Sequence, residues 1–299
     1  MPPLTPRYLR NFIDQSFPNL SRWYRNQRDR RLFQRDSSQL QKYLFDGREY
    51  KFYGDSLKQQ FLGRTNNGEL SSTKALLREG FDVFVDIGAN HGLFSLLALH
   101  EPRCQTIISV EPCYRNYQLL VRNLSLQNSE KEVFAFHLAV GSAINFQLLY
   151  GGLEGASLLT HWGSIRSTYA EQVQVLSLDR LASLWQFRDR QALIKIDAEG
   201  LEPEILLGAQ QLIQAGKTTF IVELSLTENQ SSPNNKSYIQ TFEAMLNQGM
   251  SAFTFPGGAS ISLDAVKAWT RADETRSVQT SAPNYPDRTL NILFRPHTN

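Results

Sequence analysis

Cysteine is scarce. The 299-residue chain carries two, Cys104 and Cys113. Two thiols make no disulfide framework and fall in no metal-ligand spacing, so reduced thiols and a cytoplasmic location are expected. Long apolar runs are missing as well. No segment approaches the roughly 18 apolar residues of a membrane span, and the opening MPPLTPRYLRNF lacks the apolar stretch of a secretory signal. An excess of one charge is absent: the net charge is +2. That removes the global electrostatic footprint of a nucleic-acid binder, and no nucleic-acid partner is expected. Internal repeats and low-complexity tracts are absent too. What remains is an ordinary globular composition, 41% hydrophobic and 20% charged. Its length suits one large domain with or without a small appendage.

Charge is nevertheless uneven along the chain. Residues 1–35 hold eight arginines, from Arg7 to Arg35, against Asp14 and Asp29, with Tyr8, Phe12, Phe17, Trp23, Tyr24 and Phe33 interleaved. Two readings stay open: a helical extension with a solvated basic face, or a weak contact for an anionic membrane or a partner. Residues 1–64 are therefore expected to form a basic, largely helical extension, and residues 65–299 the main domain.

Beyond Phe81 the pattern alternates. DVFVDI (82–87), QTIISVE (105–111), KEVFAFHLAV (131–140), ALIKID (192–197) and TTFIVELS (218–225) read as strands. Their near-continuous apolar character fits strands covered on both faces. Residues 92–100, 113–128, 202–216 and 237–249 read as helices, with Gly216 closing the third. Another helix begins at 179, with Asp179 as its expected N-cap. Residues 144–150 and 171–178 are extra strands, and SAFTF (251–255) with TLNILFR (289–295) completes the sheet. The fold class is α/β: a mostly parallel sheet with helices on both faces. Ligands in such folds lie outside the carboxyl ends of the strands. That singles out Asp86, Glu111, Ala139–Gly141, Asp197–Gly200 and Glu223.

The loop after the first strand, VDIGANHG (85–92), resembles a phosphate cradle but departs from Gly-x-Gly-x-x-Gly. Asp86 stands ahead of Gly88, Asn90 and Gly92, where a pyrophosphate would be repelled. A cofactor bearing a sulfonium and an ammonium suits it better, and S-adenosylmethionine is such a cofactor. Glu111, ending the second strand before Pro112, is placed to accept both ribose hydroxyls. Ala139 and Val140 would border the adenine. In LIKIDAEGLEPEIL (193–206), Lys195, Asp197, Glu199 and Glu202 crowd one strand end. Such a cluster is costly unless paired or functional. Lys195 either pairs with Glu223 or a nearby acid, or takes part in chemistry. His91 either reaches the pocket or points to solvent.

FVDIGANHGLFSLLA, VEPCYRNYQLLVRNL, LDRL and IKIDAEGLEPEIL together resemble the motifs of FkbM-type methyltransferases, a branch of the class I S-adenosylmethionine-dependent enzymes. The resemblance covers most of residues 65–295. It implies a seven-stranded Rossmann-like sheet and methyl transfer to a hydroxyl of a small molecule, sugar or glycolipid. It also implies that Asp86, Gly88, Asn90 and Gly92 line the methionine end, that Glu69 sits near the cofactor's amino group, and that Asp197 and Glu199 border the active site. A base would assist loss of the hydroxyl proton: Asp197 first, then Glu199, then His161 in the 151–170 loop. No metal is expected, although Asp197, Glu199 and Glu223 could supply oxygens. An NAD-dependent oxidoreductase on the same sheet remains an alternative, as does a methyltransferase acting on nucleic acid or protein.

Overall fold

The computed structural model describes residues 31, 34, 38–151, 156–159, 170–226, 233–270 and 288–297. Nearly all of the arginine-rich stretch, His161 with its neighbours Trp162, Arg166 and Tyr169, and the segment 227–232 lie outside the described residues.

The described chain opens with a β-hairpin, β1 (Leu40–Phe45) and β2 (Arg48–Tyr53), paired antiparallel. A largely helical stretch is expected here, and the structure differs. Tyr50 and Phe52 alternate inward and are fully buried, which is a strand's period of two. Phe52 stacks on Phe61 of α1 (Asp55–Asn66) at 5.0 Å. The expected boundary at residues 64 and 65 falls inside α1. Leu57 and Phe61 of that helix share one apolar cluster with Phe84 and Phe94 of the main body. Helix α2 (Glu69–Arg78) follows.

The chain then alternates: β3 (Val83–Ile87), α3 (Leu93–Leu99), β4 (Thr106–Val110), α4 (Tyr114–Ser125) and β5 (Glu132–Phe136). Next come β6 (Ala139–Gly141), β7 (Asn145–Tyr150), β8 (Ala170–Ser177), α5 (Leu178–Leu184), β9 (Ala192–Ile196), α6 (Glu202–Leu207) and α7 (Gln210–Ala215). The remainder is β10 (Thr218–Leu226), α8 (Pro233–Asn247), β11 (Met250–Phe255), α9 (Leu263–Thr270) and β12 (Arg288–Pro296). Seven strands form one sheet in the order β11-β12-β10-β9-β3-β4-β5. β5, β4, β3, β9 and β10 are parallel, while β12 runs antiparallel between β10 and β11. Both faces are covered. Val83, Val85, Ile194, Ile196 and Val222 enter one core; Phe84, Ile107, Leu193 and Ile221 enter the other. This explains why these strands read as unbroken apolar runs.

Three local expectations change. The single strand expected over 131–140 breaks at His137, whose Nε2 meets the Pro112 carbonyl at 2.9 Å. Beyond it β6 joins a separate three-stranded sheet, β6-β8-β7. The single helix expected over 202–216 is two. A Cβ at Gly208 would lie 2.3 Å from the Gly141 carbonyl oxygen, so the two backbones touch there and the helix restarts. Asp179 is not the N-cap of α5: the hydroxyl of Ser177 accepts from Arg180 N. The Asp179 carboxylate instead accepts from Gln211 N and Leu212 N, at the start of α7.

Candidate functional site

A cavity of about 300 Å³ opens at the carboxyl ends of β3, β4, β9 and β10, with α1 as one wall. Of the residues singled out in the sequence, Gly88, Asn90, Glu111, Pro112, Ala139, Val140, Asp197 and Glu199 line it. Asp86, Gly92, Glu69 and His91 are not among its lining residues. His161 lies outside the described residues.

The loop after β3 is held by its own hydrogen bonds. Gly88 N and Ala89 N both donate to the Val110 carbonyl, and Gly92 N donates to the Ala89 carbonyl. Asn90, at φ 50°, donates its N–H to Glu111 Oε2 at 2.8 Å. Asp86 is 1% exposed, and its Oδ2 accepts from Ser95 N (3.0 Å) and Ser95 Oγ (2.6 Å). Burial pushes its pKa up, against the pull of Lys195 and Ser95. Asp86 therefore caps the first turn of α3 from beneath instead of facing a ligand. A phosphate is still disfavoured, for a different reason. The N–H groups of Gly88, Ala89, Asn90, Gly92 and Ser95 already have acceptors. Gly88 serves packing: a Cβ there would lie 1.8 Å from the Asp197 carbonyl oxygen.

Glu111, 4% exposed, accepts from Asn90 N on Oε2 and from Cys113 N and Asn116 Nδ2 on Oε1. A carboxylate has about four lone-pair sites, so Oε2 keeps one for a ligand. Burial raises its pKa to about 7, despite those donors. The side-chain oxygen of Asn90 is buried in the same wall with no partner among the described residues. Leu138, Ala139, Val140, Leu149 and Leu158 supply an apolar side. His91 is neither in the pocket nor in solvent. It is 1% exposed, with Nδ1 3.1 Å from Ser56 Oγ and Nε2 3.3 Å from Asn116 Oδ1, tying α1 to α4.

At the far end, Lys195 and Asp197 leave β9 on the face occupied by α3. Lys195 Nζ is 2.8 Å from Asp197 Oδ2 and 4.5 Å from the centre of the Phe94 ring. Arg64 of α1 joins from above, with Nη2 3.4 Å from Asp197 Oδ2 and Nη1 2.5 Å from Glu69 Oε2. Glu69 thus lies one residue back from the cavity, behind Arg64. Burial would raise the Asp197 pKa, but Lys195 and Arg64 outweigh it and hold it at about 2. Glu223 of β10 stands one residue beyond the Val222–Ile196 pairing and lines the same cavity as Asp197. Burial and the Asp197 charge drive its own pKa well above the ordinary range. The loop between Asp197 and Leu201 is fixed by Glu202, which accepts from Ala198 N, Gly200 N and the Tyr238 hydroxyl. Glu199, at φ 51°, accepts on its carbonyl from Ser157 Oγ. Among the described residues no group of three or more His, Cys, Asp or Glu is arranged to hold a metal; the Asp197 charge is taken by two side-chain cations.

Arg64, Gln60, Phe94, Asn116 and Ser157 also belong to the lining. Gln60 and Arg64 lie inside α1, Phe94 and Asn116 in the first turns of α3 and α4, and Ser157 in the loop after β7, all away from the ends of the parallel strands where the sequence directs attention.

A family model described as "Methyltransferase FkbM domain" matches residues 86–249. No curated protein matches the sequence. Among solved structures, a methyltransferase FkbM from Methylobacillus flagellatus aligns at 15% identity and TM-score 0.42, covering 72% of this chain and 43% of that one. This chain thus spans less than half of that protein. An O-methyltransferase from Bacillus cereus in complex with SAH aligns at 11% identity and TM-score 0.42, covering 80% and 89%. A precorrin-6y C5,15-methyltransferase from Geobacter metallireducens aligns at 12% identity and TM-score 0.39, covering 76% and 87%.

Proposed function

The chain belongs to the FkbM methyltransferase domain family, and from that premise we propose that it methylates a hydroxyl oxygen of a small molecule, sugar or glycolipid, using S-adenosylmethionine. The observation that carries the reading is the cavity's division: a hydrogen-bonding end at Glu111 and Asn90, and a charged end where Asp197, paired with Lys195 and Arg64, lies with Glu223.

The residues present fit that cofactor. Asn90 Oδ1 is a buried acceptor in want of a donor, and S-adenosylmethionine brings amino and hydroxyl donors. Glu111 has a lone pair left for a ribose hydroxyl. The apolar side at Leu138, Ala139, Val140 and Leu158 suits an adenine. Four carboxyl groups line the cavity, Glu111, Asp197, Glu199 and Glu223, against two cations, Arg64 and Lys195. The loop donors a dinucleotide would need are already used, which disfavours the NAD-dependent alternative.

When bound, S-adenosylmethionine supplies an electrophilic methyl group. The protein's share is alignment, exclusion of water and proton transfer. Lys195 and Arg64 keep Asp197 ionised at the cavity floor, where its carboxylate accepts the proton an acceptor hydroxyl gives up. Glu223, whose pKa is raised by burial and by the Asp197 charge, is the stronger base of the two when ionised. Glu199 borders the same space and remains a candidate for contact with the acceptor.

Isothermal calorimetry with S-adenosylmethionine, S-adenosylhomocysteine and NAD tests the cofactor. Tight NAD binding with no response to the other two would overturn the reading. Transfer of a radiolabelled methyl group to a panel of glycans and lipid-linked sugars then tests the acceptor class.

A further inference from the structure

At the opposite end of the sheet, before the strands begin, lies a second depression of about 490 Å³. The β1–β2 turn, the last turns of α2 and the segment after α3 line it. Four cations face it, Arg48, Lys74, Arg78 and Arg103, against the carboxylates Asp46 and Glu101. Those two carboxylates are already engaged. Lys74 and Arg78 each pair with both of them, at distances from 2.5 to 3.5 Å. Arg48 and Arg103 have no carboxylate partner among the described residues. Arg48 Nη1 donates to the His100 carbonyl at 3.5 Å, and Arg103 Nη1 to the Glu79 carbonyl at 3.3 Å.

Such contacts alone have a plain explanation, since cations commonly cap the carbonyl ends of helices. Two observations go further. A guanidinium has five N–H donors, so one carbonyl contact leaves most of them for something else. And His100, which lines the depression, has a buried Nε2 with no partner among the described residues. The Tyr50 ring packs edge-on against it at 5.3 Å, and the Tyr50 hydroxyl is likewise buried and unpartnered. Helix capping explains neither atom.

We infer that this depression is an anion site, built by Arg48, Arg103 and His100 for a phosphate group. A tetrahedral dianion uses several guanidinium donors at once. The phosphate can be free or the headgroup of a lipid. His100 then serves as a reporter. Its pKa now lies below the ordinary value because burial and the nearby charges of Arg48, Lys131 and Lys74 outweigh the opposing pull of Gln127 on the ring. Glu101 and Asp46 face the same space with their charges neutralised by Lys74 and Arg78, and Arg103 adds a further cation. A bound anion offsets that positive field, so it should raise the His100 pKa.

The test is titration of the full chain with inorganic phosphate at low ionic strength, by calorimetry and by histidine NMR. Saturable binding, a rise in the His100 pKa, and loss of about tenfold or more in affinity in the Arg48→Ala/Arg103→Ala double variant support the site. Thermal unfolding checks that the variant is folded, and single variants serve if the double does not fold. No saturable binding, or a variant that titrates like the parent chain, overturns it. Co-sedimentation with phosphatidylcholine vesicles, with and without phosphatidic acid, separates the sources. Retention on the acidic vesicles that weakens in the double variant assigns a lipid headgroup; retention that ignores the substitutions, alongside phosphate binding that responds to them, assigns a free phosphate.

Discussion

Asp86 receives two hydrogen bonds from a single residue: Ser95 donates both its backbone N–H, at 3.0 Å, and its hydroxyl, at 2.6 Å, to Asp86 Oδ2. The strand before the loop thus holds the helix after it, and the loop's curvature follows. Asp86→Ala leaves the buried Ser95 N–H without this acceptor, while the Ser95 hydroxyl keeps Ser109 Oγ at 2.8 Å. An unsatisfied buried group costs about 1–3 kcal/mol, so a loss of that order in urea unfolding is expected. In the folded fraction, affinity for S-adenosylmethionine should change only a few-fold. A large loss of affinity with unchanged stability would mean that Asp86 faces the cofactor directly.

Gly88→Ala should be at least as damaging. The added Cβ falls 1.8 Å from the Asp197 carbonyl oxygen, and the position has φ 76°. The backbones of β3 and β9 would have to separate where Asp197 N donates to the Ile87 carbonyl at 3.1 Å. Destabilisation above about 3 kcal/mol is expected, with loss of soluble protein or of cooperative unfolding as the readout. A well-folded variant with only weakened cofactor binding would show that the contact relaxes cheaply.

Much of this architecture was legible in the sequence, and the legible part has a physical pattern. Strands buried on both faces announce themselves, so the five parallel strands and the helices between them can be read from the apolar pattern alone. Glu111, Asn90 and Asp197 stand at strand ends or in loops, where function gathers in this class. What could not be read is what depends on packing between distant segments. Arg64 reaches Asp197 across 133 positions of sequence. The orientation of Asp86 depends on Ser95 being within reach, and Gly208 breaks a helix because Gly141 touches it. His91 offered two readings, pocket or solvent, and occupies neither. A hairpin of alternating aromatics, KYLFDGREYKFY (42–53), carried its own signal in the Asp46–Gly47 turn, which the basic stretch ahead of it obscured.

Stability should depend on pH in a way set by buried acids. Glu111 and Glu202 titrate near pH 7 in the folded chain, because burial outweighs their hydrogen bonds, against 4.5 for the free group. Between those values the folded chain holds more protons than the unfolded one, so stability falls as pH rises through that window. Asp197 acts in the opposite sense. Its pKa of about 2 lies below the ordinary 3.8, so its contribution is present above 3.8 and is lost as pH drops toward 2. The unfolding free energy should therefore be greatest at about pH 4–5. Urea titrations across pH 3 to 8 check this at about one-unit steps. Glu111→Gln should flatten the decline toward pH 7; an unchanged slope would show that Glu111 titrates normally.

Glu223 of β10 lines the same cavity as Asp197, and the two acids share a field set by Lys195 and Arg64. Both cations contact Asp197 directly, while burial and the Asp197 charge push the Glu223 pKa well above its ordinary value. Removing the neighbour's charge tests this without knowing the methyl acceptor. In Asp197→Asn, the repulsion that raises Glu223 is gone, so its carboxyl signal in 13C NMR of glutamate-labelled protein should titrate at lower pH than in the parent chain. Glu223→Gln should bind S-adenosylmethionine within a few-fold of the parent. Once an acceptor is in hand, it should lose the rise in rate at alkaline pH that a deprotonating Glu223 provides. A Glu223 signal indifferent to Asp197→Asn would show that burial alone sets it. A glutamine variant with an unaltered pH–rate profile would leave Asp197 as the sole proton acceptor.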